Sequence, residues 1–299
     1  MLTGVQVLLL GGDARQLEVI RKLCELDATV TVCGFDGLHS SLDGAMHAEF
    51  DESLFESVDA LLLPAVGTDD QGLIHTVFSD RELKLTEKHV AVLPPHCTIY
   101  TGMAKPYLRQ LCEGRNLKLV ELFDRDDVAI YNSIPTAEGA LMIAIQNTDI
   151  TIHGSESMVL GFGRTGFTMA RALQGLGAKV KVGVRRSEHF ARASEMGFEP
   201  FYISALLQNT GNIDLIFNTI PTMIVTAQII ANLPSRAVVI DLASRPGGTD
   251  FRFAEKRGIK AILAPGLPGI VAPKTAGRII AECLSQLILD DTIKRGNGI

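Results

Sequence analysis

The sequence predicts an α/β protein made of doubly wound parallel sheets in two domains, and three observations carry that expectation. Short apolar runs alternate with longer amphipathic segments along all 299 residues, which is the pattern of β-α-β units. A chain of this length favours about two domains over one. Trp is absent and aromatic residues are only 6%, so the cores are aliphatic, as they are where helices cover both faces of a parallel sheet. The combination predicts two Rossmann-like domains joined by hinge helices, with a cleft between them.

In the first half, Val5–Leu10 reads as a buried strand, Ala14–Leu26 as a helix and Thr29–Gly34 as the second strand. Ala60–Pro64, Cys97–Tyr100 and Lys118–Leu122 extend that sheet. The second half repeats the theme with strands at Met158–Leu160 and Lys179–Val184 and the helix Thr165–Leu176 between them. Leu215–Asn218, Ala237–Asp241 and Ala261–Leu263 follow as strands. Between the halves, the small and apolar residues after Pro135 predict a helix that starts there, because proline favours a helix's first position. A helix over Thr275–Leu289 is expected to return to the first domain, and the tail Lys294–Ile299 to fray. The expected boundaries are 1–135 with 276–299 for an N-terminal substrate or catalytic domain, and 136–275 for a cofactor domain.

Composition removes several functions. A net charge of −6 without a Lys/Arg-rich run leaves no basic surface for nucleic acid. Cys24, Cys33, Cys97, Cys112 and Cys283 are scattered in apolar contexts, as reduced buried thiols are. The N-terminus lacks a signal-peptide pattern, and no apolar run approaches the ~20 residues that span a bilayer. A cytoplasmic protein without a membrane segment is the expectation. No histidine, cysteine or carboxylate spacing fits a metal, and no G-x-S-x-G elbow points to a serine hydrolase.

Gly161-Phe162-Gly163-Arg164-Thr165-Gly166 matches G-x-G-x-x-G between a strand and a helix. There the first glycine permits a tight turn, the second lets backbone approach a pyrophosphate, and the third allows close helix–strand packing. The helix N-terminus adds N–H donors and partial positive charge. At the end of the next strand stand Arg185, Arg186 and Ser187, where an NAD site carries a carboxylate for the ribose hydroxyls. A guanidinium pairs with a 2′-phosphate instead, so the cofactor expected is NADP. A solvated loop is the competing reading of these arginines. Asn218, Thr219, Ile220 and Pro221 close another strand at its carboxyl end, as do Leu242, Ala243 and Ser244. The first group is expected beside the cofactor's ribose and nicotinamide, an ordinary turn being the alternative, and the second is expected among the cofactor-binding residues.

Substrate-facing candidates lie at three strand ends. Gly11-Gly-Asp-Ala-Arg15-Gln lacks a third glycine but offers Arg15 and a helix start to an anion; Asp13 is a natural cap there. Arg125, Tyr131, Asn132 and Ser133 precede the expected interdomain helix, with Thr136 and Glu138 in its first turn. Arg245 and Lys274, in glycine- and proline-rich loops, are the catalytic candidates, as clamps for substrate carboxylates; a structural ion pair is the alternative for each. Of the histidines, only His96 and His153 are expected near strand edges.

Taken together, Gly11-Gly-Asp-Ala-Arg-Gln, Arg125-Asp-Asp-Val-Ala-Ile-Tyr-Asn-Ser-Ile-Pro-Thr, the glycine loop, Asp241-Leu-Ala-Ser-Arg-Pro-Gly-Gly-Thr-Asp and Ala264-Pro-Gly-Leu-Pro-Gly-Ile-Val-Ala-Pro-Lys-Thr-Ala-Gly resemble the A subunits of dipicolinate synthase over nearly the full length. The resemblance implies dehydrogenation of a dihydrodipicolinate-type intermediate to pyridine-2,6-dicarboxylate in the mother cell of a sporulating bacterium. It also implies a small dicarboxylate substrate, NADP, and a flavoprotein-like B subunit of dipicolinate synthase as partner, with a homo-oligomer left open. More distantly the layout is similar to D-2-hydroxy acid dehydrogenases, in which a segment like Ala243-Ser-Arg-Pro carries a substrate-binding arginine that matches Arg245. Their catalytic histidine has no counterpart in Pro265-Gly-Leu-Pro. A non-catalytic NADP-binding protein with a regulatory or structural role, and a 2-hydroxy acid dehydrogenase relative, are the alternative functions.

Overall fold

A computed structural model gives the fold and describes residues 1–38, 42 and 44–296. The chain divides into two compact units, Met1–Val128 with Pro273–Ile299, and Ala129–Ala272.

The first unit opens with β1 (Gln6–Leu10), α1 (Ala14–Glu25), β2 (Thr29–Cys33), β3 (Ala45–His47) and β4 (Ala60–Leu62). A short antiparallel pair follows, β5 (Leu73–Ile74) and β6 (Leu83–Lys84), then α2 (Glu87–Ala91), β7 (Thr98–Thr101), α3 (Pro106–Gly114) and β8 (Lys118–Glu121). Six strands form one parallel sheet in the order β3-β2-β1-β4-β7-β8. Alternate residues of β1 serve opposite cores: Val7 and Leu9 pack with α1, and Leu8 and Leu10 with the α2–α3 side. That two-sided burial makes the strand a continuous apolar run. Burial pushes the thiols of Cys33 and Cys97 up to about 12, so neither is a nucleophile.

The second unit starts within α4 (Asp126–Asn147) and continues through β9 (Glu156–Leu160), α5 (Arg164–Gly175), β10 (Lys179–Val184), α6 (Ser187–Glu195) and β11 (Glu199–Tyr202). β12 (Leu215–Asn218), α7 (Ala227–Ala231), β13 (Val238–Asp241), α8 (Phe251–Arg257), β14 (Lys260–Leu263) and α9 (Leu267–Val271) complete it. Its parallel sheet runs β11-β10-β9-β12-β13-β14. Leaving the β5–β6 pair aside, both sheets have the strand order 3-2-1-4-5-6, so each unit is Rossmann-like. The edge strands β3 and β11 escaped the sequence reading because they are largely exposed and carry no apolar run.

One expectation is corrected. The helix read as starting at Pro135 begins at Asp126, with Pro135 in its interior. The proline removes one backbone donor, and hydroxyls serve the neighbouring carbonyls: Ser133 donates to Ile130 (2.6 Å) and Thr136 to Asn132 (2.7 Å). Glu138 therefore lies well past the first turn and has no favourable contact with the helix N-terminus. The full helix is, by length and composition alone, long and apolar enough to cross a membrane, which a start at Pro135 conceals. Its Ala137, Ala140 and Ala144 are buried in the core of the second unit.

The last helix, α10 (Pro273–Gly296), returns to the first unit and packs on α1 so closely that a Cβ on Gly277 would stand 2.5 Å from the Arg15 carbonyl oxygen. It runs through Lys294–Gly296, where fraying was expected; 297–299 lie outside the described residues. Two carboxylates fasten it. Asp291 accepts from Tyr100 (2.8 Å), Thr98 (3.1 Å) and Lys118 (2.6 Å). Asp59 accepts from the Gln6 amide (2.8 Å) and pairs with Arg295 and His96. Burial alone would raise both carboxyls, but these donors hold each below the ordinary 3.8. A folded-state value below the unfolded one gives stability that is present above pH ~4 and lost as pH falls through the folded values. Denaturant melts should therefore show the first unit weakening as pH drops below about 4, and Asp291→Asn should blunt that dependence.

Candidate functional site

In the second unit the chain turns sharply after β9. Gly161 sits at φ +95°, where a side chain would be strained, and a Cβ there would meet the Thr219 hydroxyl at 2.5 Å. Gly166, in the first turn of α5, lies so close beneath that a Cβ would stand 2.1 Å from the Gly161 carbonyl oxygen. Gly163 is different: it is the N-cap of α5, and its Cβ would project into open space. No side chain caps α5, so its first-turn N–H groups face outward for an anion. Arg164 and Thr165 begin that turn. Phe162 contributes backbone only, since its ring is buried against Phe167 and Phe198.

At the end of β10, Arg185 is exposed and, among the described residues, has no hydrogen-bond or ion-pair partner. Arg186 pairs with Glu188 at 3.1 Å and contacts His189, and Ser187 opens α6. No carboxylate stands at this strand end itself. The glycine cradle and the uncapped helix start fit the pyrophosphate of a dinucleotide, and the free guanidinium beside them is a donor for an anion.

The neighbouring strand ends are locked together. Asp241 is fully buried, and its carboxylate accepts from Asn218 Nδ2 (3.0 Å), the Ala243 amide (3.1 Å), the Gly248 amide (2.9 Å) and Thr249 Oγ1 (2.5 Å). Asn218 is also fully buried: it donates to the Ile220 carbonyl and accepts from the Ile220 amide, both at 3.0 Å. Its side chain thus shapes the turn through Thr219, Ile220 and Pro221 and is closed to a ligand. Thr219 donates to the Leu160 carbonyl (2.8 Å) and ties this turn to the glycine loop. Ala243 is buried and Leu242 packs on the core, while Ser244 and Arg245 are exposed at the loop crest. Arg245 has no partner among the described residues. The Asp241 clasp was missed by sequence reasoning; its only trace was a polar residue ending an apolar strand.

In the first unit, the Arg15 candidate is corrected. Asp13 caps α1 by accepting from the Arg15 amide (3.0 Å), and Gln16 accepts from the Asp13 amide (3.1 Å). The Arg15 guanidinium folds back on Asp13 in three bonds of 2.9, 3.2 and 2.7 Å and is only 15% exposed. Burial would raise the Asp13 carboxyl, but Arg15 holds it below 3.8. This helix start is closed by its own residues, so it offers no seat to an anion. Arg125 likewise holds Asp127 with two bonds, 3.1 and 2.7 Å. Lys274 lies in the first turn of α10, exposed and without a partner among the described residues.

Tyr131, Asn132 and Ser133, expected in a loop, lie in α4 on the second unit. Tyr131 is 59% exposed. Ser133 is buried against Thr168 (2.6 Å), and Asn132 Oδ1 is enclosed with no partner. His96 and His153 lie just before β7 and β9, near strand ends as expected. His96 serves Asp59, and His153 underlies Gly177. Two others were unforeseen: His47 ends edge strand β3, and His75 follows β5, its carbonyl accepting from the Gly12 amide (2.8 Å) beside the β1 turn. Among the described residues no group of three or more His, Cys, Asp or Glu is arranged to hold a metal.

Residues 6–123 match the family of N-terminal domains of the dipicolinate synthase A subunit, and residues 151–286 match the NADPH-binding domain of acetohydroxy acid isomeroreductase. The chain is 51% identical over 296 residues to the dipicolinate synthase A subunit of Bacillus subtilis, covering 99% of this chain and all of that one. The crystal structure of the corresponding A subunit from Bacillus halodurans superposes with a TM-score of 0.94 at 55% identity, over 96% of this chain and 99% of that chain. A transhydrogenase from Sinorhizobium meliloti, at 15% identity and TM-score 0.69 over 96% and 94% of the two chains, shares the fold.

Proposed function

This chain belongs to the family of dipicolinate synthase A subunits, and from that premise we propose that it binds NADP and dehydrogenates a dihydrodipicolinate-type intermediate to pyridine-2,6-dicarboxylate. The observation that carries the reading is the partnerless Arg185 beside an uncapped, glycine-shaped helix start. NADP bound there would supply a two-electron acceptor. The α5 amides and Gly163 hold the pyrophosphate, and Arg185 and Ser187 hold the 2′-phosphate. The turns Thr219–Pro221 and Leu242–Ser244 bound the ribose and nicotinamide side. Arg245 and Lys274 pair with substrate carboxylates, their guanidinium and ammonium groups being uncommitted. In this reading the second unit is the NADP domain and the first unit the substrate domain, with the boundaries at Val128 and Pro273 in place of the 135 and 276 expected from the sequence. The reaction takes place in the cytoplasm of the mother cell, and its partner there is the flavoprotein-like B subunit.

The test is NADPH absorbance when the intermediate is supplied to the purified A and B subunits; no NADPH from the pair overturns the catalytic assignment. A second reading, a non-catalytic NADP-binding role, is favoured by one observation: Pro265–Pro268 carries no histidine, and its Leu267 is buried in the core. That reading expects NADP to bind and Arg245→Ala to leave turnover unchanged.

Cofactor choice has its own expected outcome. Arg185→Ala should weaken NADP binding about 30-fold, the size of a lost charge-assisted hydrogen-bonded contact, and leave NAD affinity unchanged. Arg186→Ala should weaken it by no more than about threefold, because that guanidinium is already engaged by Glu188. Calorimetric titration with both nucleotides measures the difference. Equal losses for NAD and NADP would remove Arg185 from the phosphate.

A further inference from the structure

A cavity of about 450 Å³ lies in the first unit, between the loop that leaves β4 and the β5–β6 pair. Its place in the sheet is informative. From β1 the chain winds through β2 and β3 to one edge, and from β4 through β7 and β8 to the other. Ligands of open parallel sheets bind outside the carboxyl ends of the strands at this reversal. Gly12, just past β1, bridges to Thr76 in the cavity wall, and Val66, Gly67 and Thr68 follow β4. The volume lies within the range of small-molecule sites.

The lining suits a flat ring with charged edges. Ile74 and Leu83, both buried, give an apolar floor. Arg81 and Lys105 stand on the walls with loosely held charges. Arg81 lies 3.3 Å from Glu49 and 3.8 Å from Asp36, and Lys105 3.8 Å from Asp70. All these pairs are largely in solvent, where an ion pair is weak and readily exchanged for a ligand carboxylate. Of the two acids in the lining, Asp69 is committed to its own turn, accepting from the Gln71 and Leu73 amides at 2.8 Å each. Glu82 is exposed and has no partner among the described residues. Glu82 and Asp69, whose amide donors leave its charge in place, are the lining charges that oppose an anion, and of the two only Glu82 is free of a fixed hydrogen-bonding role among the described residues.

We propose that this cavity is a binding site for the ring dicarboxylate additional to the one assigned to Arg245 and Lys274, with the ring on Ile74 and Leu83 and the carboxylates on Arg81 and Lys105. The identity of the ring rests on the proposed function; the site rests on the cavity and its charges.

The experiment titrates pyridine-2,6-dicarboxylate into the full-length protein by calorimetry, with thermal melts to verify that each variant is folded. Arg81→Ala and Lys105→Ala should each weaken binding roughly tenfold, and Glu82→Gln should tighten it about threefold. That opposite sign cannot come from general loss of structure. Unchanged affinity in Arg81→Ala and Lys105→Ala, or weaker binding in Glu82→Gln, overturns the inference, as does absence of binding to the wild-type protein. If instead Arg245→Ala alone abolishes binding, this site falls and the proposed reaction stands. If the titrations behave as expected but no NADPH forms with both subunits, the site stands and the proposed reaction falls.

Discussion

Gly166→Ala should cost the second unit about 3 kcal/mol and abolish measurable NADP binding. The added carbon would stand 2.1 Å from the Gly161 carbonyl oxygen and 2.8 Å from its carbonyl carbon, both backbone atoms. No side-chain rotation relieves such a contact, so either α5 or the turn after β9 must move. The turn is not free to yield, because Thr219 sits 3.3 Å from the same added carbon and is itself bonded to the Leu160 carbonyl. Gly163→Ala is the informative partner. Its Cβ enters open space at an ordinary φ of −87°, so the melting temperature should stay within about 2 °C of wild type while NADP affinity falls. Thermal melts and nucleotide titration of the two variants separate packing from ligand approach. A Gly166→Ala protein that melts and binds like wild type would show that close helix–turn contact does not shape the site.

The second large effect is expected at Asp241. Removing its carboxylate in Asp241→Ala leaves the Asn218 amide, two backbone N–H groups and the Thr249 hydroxyl without their acceptor in a buried site. Unsatisfied buried donors of this kind cost about 1–3 kcal/mol each when water cannot reach them. With partial relaxation the total should be about 3–5 kcal/mol, a fall of about 10 °C in the melting temperature of this unit. Asp241→Asn keeps the shape but turns an NH2 group toward one set of donors, so an intermediate loss is expected. Calorimetry measures both. Because the same carboxylate holds the loop that carries Arg245, turnover should fall in Asp241→Asn by more than NADP affinity does. A variant as stable as wild type would mean that the four hydrogen bonds do not act as a clasp.

What was legible in the sequence is what depends on neighbours along the chain. The strands of both sheets are short apolar runs because each is buried on two sides, and that requirement is written locally in Val5–Leu10 or Leu215–Asn218. The glycine loop was legible because a turn at positive φ and a helix packed at contact distance admit no side chain at Gly161 and Gly166. Asp13 as a helix cap was legible for the same reason, since its partners are two and three residues away.

Pro135 shows where local rules end. Proline prefers a helix start, yet the surrounding hydroxyls and the buried alanine face of α4 hold it in an interior turn. Local pattern was enough to establish two parallel α/β units and the strand end shaped for a dinucleotide. Which polar groups remain free to act was settled by the assembled fold. Arg15 and Arg125 are spent on adjacent aspartates, Asn218 is spent on an aspartate from the next strand, and Arg185, Arg245 and Lys274 are left uncommitted among the described residues. The cavity walled by β5 and β6 likewise exists only once distant segments meet. The reason is physical: secondary structure follows from the nearest few residues, whereas the availability of a charge depends on every group that folding brings within hydrogen-bonding distance.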